Sequence, residues 1–409
     1  SDIHCIRFNL GGDRDPAVLP DGRVVFSRLD IFYSRLKTEV TVQAVFPDGT
    51  RNEAVYGPER RPFWRKVHKD NAAWTMRPSY GGREDNRNRV LRLGQPQPLE
   101  GGRVICTSSG GLVVAEPGGY RETLVPHDRK WAVTTPFPIG QGKVLCSATV
   151  KQFKVAGKLI TAGTDAFKRL NKGPGLFNSA VNIDLAIYVA DVKSGKMTQL
   201  YNDPETADFE ARPIVARKRP AVLPENPAVR SDSFTARLVC SSARVSRIAR
   251  VTSRGKLVRV IEGRPVVSRH ETQQNRPTNR WKNHGGTFAR VLGTAPLAAD
   301  GSFHAEVPAD RLIQLQVLDS DRRVLGNQVF WMYARPGETR SCVGCHERRD
   351  ETQRTGHVFP STAKVAPISM LPAGREFSYR AKSWIKGYLP DEVEERTRTV
   401  RAVNLLGRQ

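Results

Sequence analysis

Residues 101–119 read GGRVICTSSGGLVVAEPGG, and their pattern decides the fold class. Two short runs of strand-forming residues are separated by a glycine pair and flanked by glycine pairs on both sides. Glycine supplies the positive φ angles that tight hairpins require, so the stretch reads as strand, turn, strand. The same theme extends outward in both directions. LPDGRVVFSRLDIFY (19–33) alternates after Asp21-Gly22, and TVQAVFPDGT (41–50) ends in Asp48-Gly49. GKVLCSATV (142–150) and LAIYVADVKSGKMTQLY (185–201) continue it, with no long stretch of helical period before about residue 212. The prediction is an all-β chain whose repeated unit looks like a propeller blade; a sandwich built of similar hairpins is the alternative. At roughly 40 to 45 residues per blade, this region supplies some four or five blades. Segments 58–98 and 151–180, rich in Gly, Pro, Asn and basic residues, read as excursions and lower that count. The expectation is an incomplete or small propeller, or one with blades upstream of Ser1, whose open strand edges call for a covering partner.

Between 211 and 228 the sequence ARPIVARKRPAVLPENPA carries four prolines. Proline fixes φ and donates no ladder hydrogen bond, so this reads as a stiff extended linker and a domain boundary. A second β-rich region follows: FTARLVCSSARVSRI (234–248), GKLVRVIEGR (255–264), GSFHAEVPAD (301–310) and LIQLQVLDSDRRVLGNQVFWMYARPGE (312–338). Their alternation fits a small antiparallel sandwich. The expected organisation is a propeller-like domain over 1–210, the linker 211–228, a β-sandwich-like domain over 229–360 and a C-terminal extension over 361–409. A short helix is expected near Asp391 to Val403.

The 409 residues carry 65 Lys+Arg against 41 Asp+Glu, a formal charge of +24, with 39% hydrophobic residues. That composition is too apolar for disorder and too long for one small core. The arginines are dispersed, with only short clusters such as Arg217-Lys218-Arg219, and no motif for base readout accompanies them. Nucleic acid is therefore disfavoured, and acidic protein surfaces or an anionic membrane surface fit the charge better. Nothing approaches the run of about 18 apolar residues that a transmembrane helix needs. The start SDIHCIRFNL lacks the basic end and apolar run of a secretion signal. The expectation is a soluble chain whose export signal, if it was exported, has been removed.

Of the six cysteines, Cys5, Cys106, Cys146 and Cys240 are scattered singly, which is not a disulfide framework. The sharp signal is Cys342-Val343-Gly344-Cys345-His346. In the C-x-x-C-H spacing two thiols form thioethers to the vinyl groups of a haem, while the adjacent imidazole reaches the iron from the same loop. Half a zinc site is one alternative, but structural zinc wants four ligands and no second pair exists. A redox dithiol is another, and it expects an α/β context that this chain lacks. His346 is the default proximal ligand. For the opposite face the candidates are His304, His357 and Met332, each of which also has an ordinary structural reading.

The run from GSFHAEVPAD through LIQLQVLDSDRRVLGNQVFWMYARPGETRSCVGCHE (301–347) resembles the haem-bearing middle domain of the hydrazine synthase alpha subunit family. ARPIVARKRPAVLP (211–224) is similar to that family's proline-rich joint, and DGRVVFS and IYVADVKSGKMTQLY to its propeller blades. The resemblance implies one covalent haem c on Cys342 and Cys345, an N-terminal propeller, and a periplasmic or anammoxosome-type compartment. It also implies other subunits of a redox complex as partners. Zinc beside this haem in the family makes Cys240 a candidate zinc ligand. Relatives continue past a Phe-Ser-Tyr segment into a second haem motif, whereas Phe377-Ser378-Tyr379 is followed by no further cysteine. The reading is therefore a monohaem c-type cytochrome subunit for electron transfer or small nitrogen-species chemistry. Its alternative is a structural or assembly subunit whose basic β surfaces dock acidic partners and whose haem is not catalytic.

Overall fold

The computed structural model describes residues 6, 12–29, 40–56, 93–108, 111–116, 121–126, 128, 130–155, 158–170, 184–229, 233–246, 248–264, 282–284, 287–328, 331–345 and 359–371. The first region folds into three four-stranded antiparallel meanders. The first contains β1 (Gly12–Val18), β2 (Val24–Leu29), β3 (Val40–Val45) and β4 (Glu53–Tyr56). The second contains β5 (Gly94–Leu99), β6 (Arg103–Ser108), β7 (Gly111–Glu116) and β8 (Arg121–Leu124). The third contains β9 (Trp131–Gly140), β10 (Lys143–Val150), β13 (Ala186–Asp191) and β14 (Met197–Tyr201). Between β10 and β13 the chain inserts a hairpin, β11 (Gln152–Val155) and β12 (Lys158–Thr161), and a short helix, α1 (Asp165–Leu170).

Successive side chains of a strand leave opposite faces, and the middle sheet uses both. Val104 and Cys106 of β6 pack with Val25, Val42 and Ala44 of the first sheet. Ile105, the residue between them, packs with Val144 and Cys146 of the third. A sheet buried on both faces needs continuous apolar runs, which is why 104–106 and 112–115 do not alternate. The leading strands β1, β5 and β9 lie against one another in sequence order, as the inner strands of propeller blades do. The described residues thus form an arc of three blades, fewer than the four or five that length suggested. The reason lies in the insertions: 152–170 goes to the hairpin and helix, and 57–92 lies outside the described residues. Residues 94–98, read from sequence as the end of an excursion, are strand β5.

After β14, residues 202–229 contain no strand or helix. The guanidinium groups of Arg212 and Arg217 both lie over the Phe137 ring, 4.6 and 4.7 Å from its centroid, and fasten this segment to the third blade. Further on, Ala221 N donates to Pro20 O at 3.0 Å and Asn226 N to Asp48 Oδ2 at 2.8 Å, so the strap ends on the first blade.

The second region is a two-sheet sandwich. One sheet has the order β22 (Thr339–Cys342), β15 (Thr235–Cys240), β19 (Phe303–Pro308), β23 (Ile368–Ser369). The other has the order β17 (Lys282–His284), β18 (Thr287–Pro296), β16 (Leu257–Arg264), β20 (Leu312–Leu318), β21 (Val324–Asn327). A short helix, α2 (Ala249–Arg254), precedes β16. Leu238, Cys240, Phe303, Ala305 and Val307 face Val258, Val260, Ile313, Leu315 and Val317 across the core. Each of the larger side chains contributes about 1.5–3 kcal/mol by leaving water. The sandwich is not purely antiparallel, as the alternation suggested. Both outer strands of the first sheet, β22 and β23, run parallel to their neighbours. Parallel neighbours need crossover connections, and both strands are reached by such crossings. Residues 361–371, read from sequence as the start of an extension, belong to this sandwich: Met370 is buried in its core. The helix expected at 391–403 lies outside the described residues.

The two regions meet through the segment just before the cysteine motif. Tyr333 Oη donates to Gly49 O at 2.9 Å, and Arg335 Nε to Asp48 O at 3.2 Å. Arg51 N donates to Glu338 Oε1 at 3.1 Å, and Arg340 donates to Asn52 O. Residues 333–340 are therefore seated on the β3–β4 turn of the first blade.

Candidate functional site

Cys342 ends β22, the edge strand of its sheet, and stands in register with Cys240 at the end of the neighbouring β15. The ladder then continues as a brace on the loop. Ser241 N donates to Cys342 O at 2.9 Å, Ser242 N to Val343 O at 3.0 Å, and Cys345 N to Val245 O at 2.9 Å. Residues 241–245 thus hold the backbone of the motif loop from one side. Cys342 and Cys345 are both thiols of intermediate exposure, packed against the rim of the sandwich core. Cys240 is 2% exposed, and its Sγ lies 3.9 Å from Val343 O. His346 and His357 lie outside the described residues.

A second layer holds the brace. Ser242 Oγ donates to Asp300 O and Ala243 N to Gly301 O, each at 2.8 Å. Asp300 in turn accepts the Ser361 and Ser302 amides, each at 2.9 Å. Desolvation alone would raise the Asp300 pKa, but these hydrogen bonds from Ser302 and Ser361 outweigh it and hold the carboxyl well below the usual range. The chain after the motif is therefore tied, through one carboxylate, to the segment that grips the motif.

His304 lies on β19 opposite Val239 of β15, whereas Cys240 lies opposite Phe303. By strand alternation His304 faces the side of the sheet away from Cys240 and Cys342. Its Nδ1 is 3.1 Å from Val365 O and 3.3 Å from Thr362 O. Two carbonyls accept only from an N–H, so Nδ1 carries a proton. His304 is 9% exposed, and Nε2 is buried without a hydrogen-bond partner. Met332 is buried in the core on which both motif cysteines rest, its backbone bridged to Ile313. The structure thus gathers Cys240, Met332, Cys342 and Cys345 around one core and sets His304 behind the sheet. Among the described residues, no group of three or more His, Cys, Asp or Glu is assembled to hold a metal ion.

The blade cysteines are different in kind. Burial pushes the Cys146 thiol up to about 12 and that of Cys106 higher still, so both stay protonated. Sequence reasoning missed the brace at 241–245 and the joint at 333–340. The brace leaves no local signal, since its work is done by backbone groups. The joint carries one, the Pro336-Gly337 turn, in which Glu338 N donates to Arg335 O at 2.9 Å and Arg335 N to Glu338 Oε2 at 2.7 Å.

Fold and site together define an all-β protein in which a propeller arc supports a sandwich, and the sandwich's edge strand runs into a C-x-x-C-H loop. Residues 254–347 match the family described as the hydrazine synthase alpha subunit middle domain. Among solved structures, the chain is similar to Kuenenia stuttgartiensis hydrazine synthase with a TM-score of 0.57 at 16% identity. That match covers 83% of this chain and 44% of the other, so this chain spans less than half its length. The likeness shows a shared fold. The tricorn protease also aligns, over 76% of this chain and 25% of the other at 9% identity, but its TM-score of 0.16 carries no argument. No curated protein matches the chain by sequence.

Proposed function

We propose that this chain is a monohaem c-type cytochrome subunit similar to the hydrazine synthase alpha subunit, working in electron transfer or small nitrogen-species redox chemistry within a larger complex. The observation that carries this reading is the presentation of Cys342 and Cys345. Both thiols stand half-exposed at the rim of an apolar core, on a backbone fixed by three hydrogen bonds to the 241–245 segment. That donor set fits a haem: two thiols three residues apart for the thioethers, an apolar rim for the macrocycle, and His346 next in sequence as proximal ligand. When bound, the haem supplies one-electron chemistry at its iron. The chain's own part would be to hold both sulfurs, aim the loop and offer an apolar surface beside them.

As a further iron ligand Met332 would be better placed than His304, because it shares the core with both thiols while His304 lies behind the sheet. His357 is the third candidate. Cys240, beside the loop, would serve as a zinc ligand only with further ligands from beyond the described residues. Thioether formation takes place outside the cytosol, so we place the mature chain in a periplasm-like compartment. No helix among the described residues is long and apolar enough to cross a membrane. The charge of +24 suits docking on acidic surfaces of partner subunits.

The test is production of the chain in cells that mature c-type cytochromes, followed by intact mass and a pyridine haemochrome spectrum. One haem, lost in Cys342→Ala and Cys345→Ala, is expected; a bare chain or a zinc adduct overturns the reading. Cyanide or nitric oxide added to the loaded protein then separates reactor from relay. An unshifted spectrum means a closed six-coordinate iron and favours the structural or relay subunit.

A further inference from the structure

The register of the two parallel strands has a chemical consequence of its own, and only its bearing on attachment rests on the haem reading. We infer that Cys240 is a third functional thiol of the motif, which forms a disulfide with Cys342 in the haem-free chain and so competes with attachment at that sulfur. Cys240 and Cys342 are direct Cα partners across β15 and β22. Adjacent strands lie about 4.7–4.9 Å apart, inside the roughly 4.4–6.8 Å Cα separation that disulfides span. Paired residues of a ladder leave the same face, and both cysteines pack on the sandwich core. Each is the last residue of its strand, and the Ser241 N–Cys342 O hydrogen bond just beyond keeps the two chains side by side at the pair.

Exposure sets the order of events. Cys342, of intermediate exposure, meets a small-molecule oxidant first, and buried Cys240 resolves the product. With glutathione disulfide as oxidant, the Cys342 thiolate attacks one of its sulfurs and releases one glutathione thiol. The Cys240 thiolate then attacks Cys342 Sγ in the mixed disulfide, the protein S–S bond forms, and the second glutathione thiol leaves. Two protein thiols are oxidised, one glutathione disulfide is reduced to two thiols, and the Cys240 and Cys342 protons go to the departing thiolates. Cys345 is the rival partner in the adjacent loop. Cys106 and Cys146, buried in separate blade cores, take no part.

The test uses the full chain made without haem maturation, equilibrated in a glutathione redox buffer, alkylated, digested without reduction and mapped by mass spectrometry. The expected dominant linkage joins the peptide containing Cys240 to the one containing Cys342. It persists in Cys345→Ser and is lost in Cys240→Ala. Chains carrying that linkage are expected to lose haem incorporation in a maturation extract, with recovery on adding dithiothreitol. A map showing only a Cys342–Cys345 linkage, or no linkage involving Cys240, overturns the inference. The wild-type map is read on the sulfur–sulfur bond alone, so failure of the haem proposal leaves this result standing, and the reverse.

Discussion

Asp310 is a buried carboxyl held by opposing electrostatic influences. Its backbone is left-handed (φ 53), its Oδ2 accepts from Arg335 Nη1 at 2.8 Å, and its Oδ1 is buried without a hydrogen-bond partner. Burial raises its pKa to about 6, opposed by Arg335 and reinforced by the nearby Glu338 carboxylate. A carboxyl whose folded pKa lies above its ordinary 3.8 contributes stability that is fully present below that ordinary value and lost as pH rises through about 6. The change is on the order of 3 kcal/mol. Asp48 and Asp300 work the other way: their burial is outweighed by hydrogen bonds that lower their pKa, so their contribution is lost as pH falls below the ordinary carboxylate range. The thermal midpoint is therefore expected to peak at mildly acid pH and to decline towards neutrality. Asp310→Asn is expected to flatten the decline on the neutral side and leave the acid limb in place, read from thermal unfolding across pH 3–8. An unchanged neutral limb would remove Asp310 from the account.

Among the elements, the turn at Asp300-Gly301 joins β18 to β19 and holds the brace on the motif loop. Gly301 has φ +82, and a Cβ there would lie 2.4 Å from Ser242 Oγ. Gly301→Ala is therefore expected to cost about 1–2 kcal/mol or more from backbone strain, with the added contact pushing on the brace. It is also expected to lower haem loading, read by haemochrome absorbance per chain. Gly12→Ala, where nothing lies within 4 Å, is the control and should change neither. Strands and hairpins could be read because Asp21-Gly22, Asp48-Gly49 and Asp300-Gly301 are local signals with a stereochemical cause. The pairing of Cys240 with Cys342 could not, because a parallel ladder joins residues about a hundred positions apart with no turn between them to mark the register. The motif cysteines were visible as a spacing; the backbone groups that grip them leave no trace in side-chain identity.

Among the described residues, the propeller arc and the sandwich are pinned together chiefly at the β3–β4 turn, with Arg28 of β2 adding a hydrogen bond to Trp331 O. Arg335 lies at the centre of that pin, bonded to Asp310 on its own side and to Asp48 O on the blade. Arg335→Ala leaves Asp310 buried without its charge partner, a loss of about 3–5 kcal/mol for a pair of this kind. Calorimetry is expected to show one unfolding transition for the parent chain and two for the variant, with the sandwich melting first. One undivided transition in the variant would mean that the strap at 202–229 carries the coupling instead. For the strap, Phe137→Leu removes the ring under Arg212 and Arg217, and faster proteolytic cleavage within 202–229 is expected. The pin ends only two residues before the first motif sulfur. A subunit that grasped the blades would thereby fix the heading of Cys342 and Cys345 in space, much as a tripod fixes the bearing of the instrument bolted to it. Attachment to a neighbour and aim of the sulfur pair are then one rigid-body problem, and a graft of the sandwich alone would keep the spacing of the two sulfurs while forfeiting their direction.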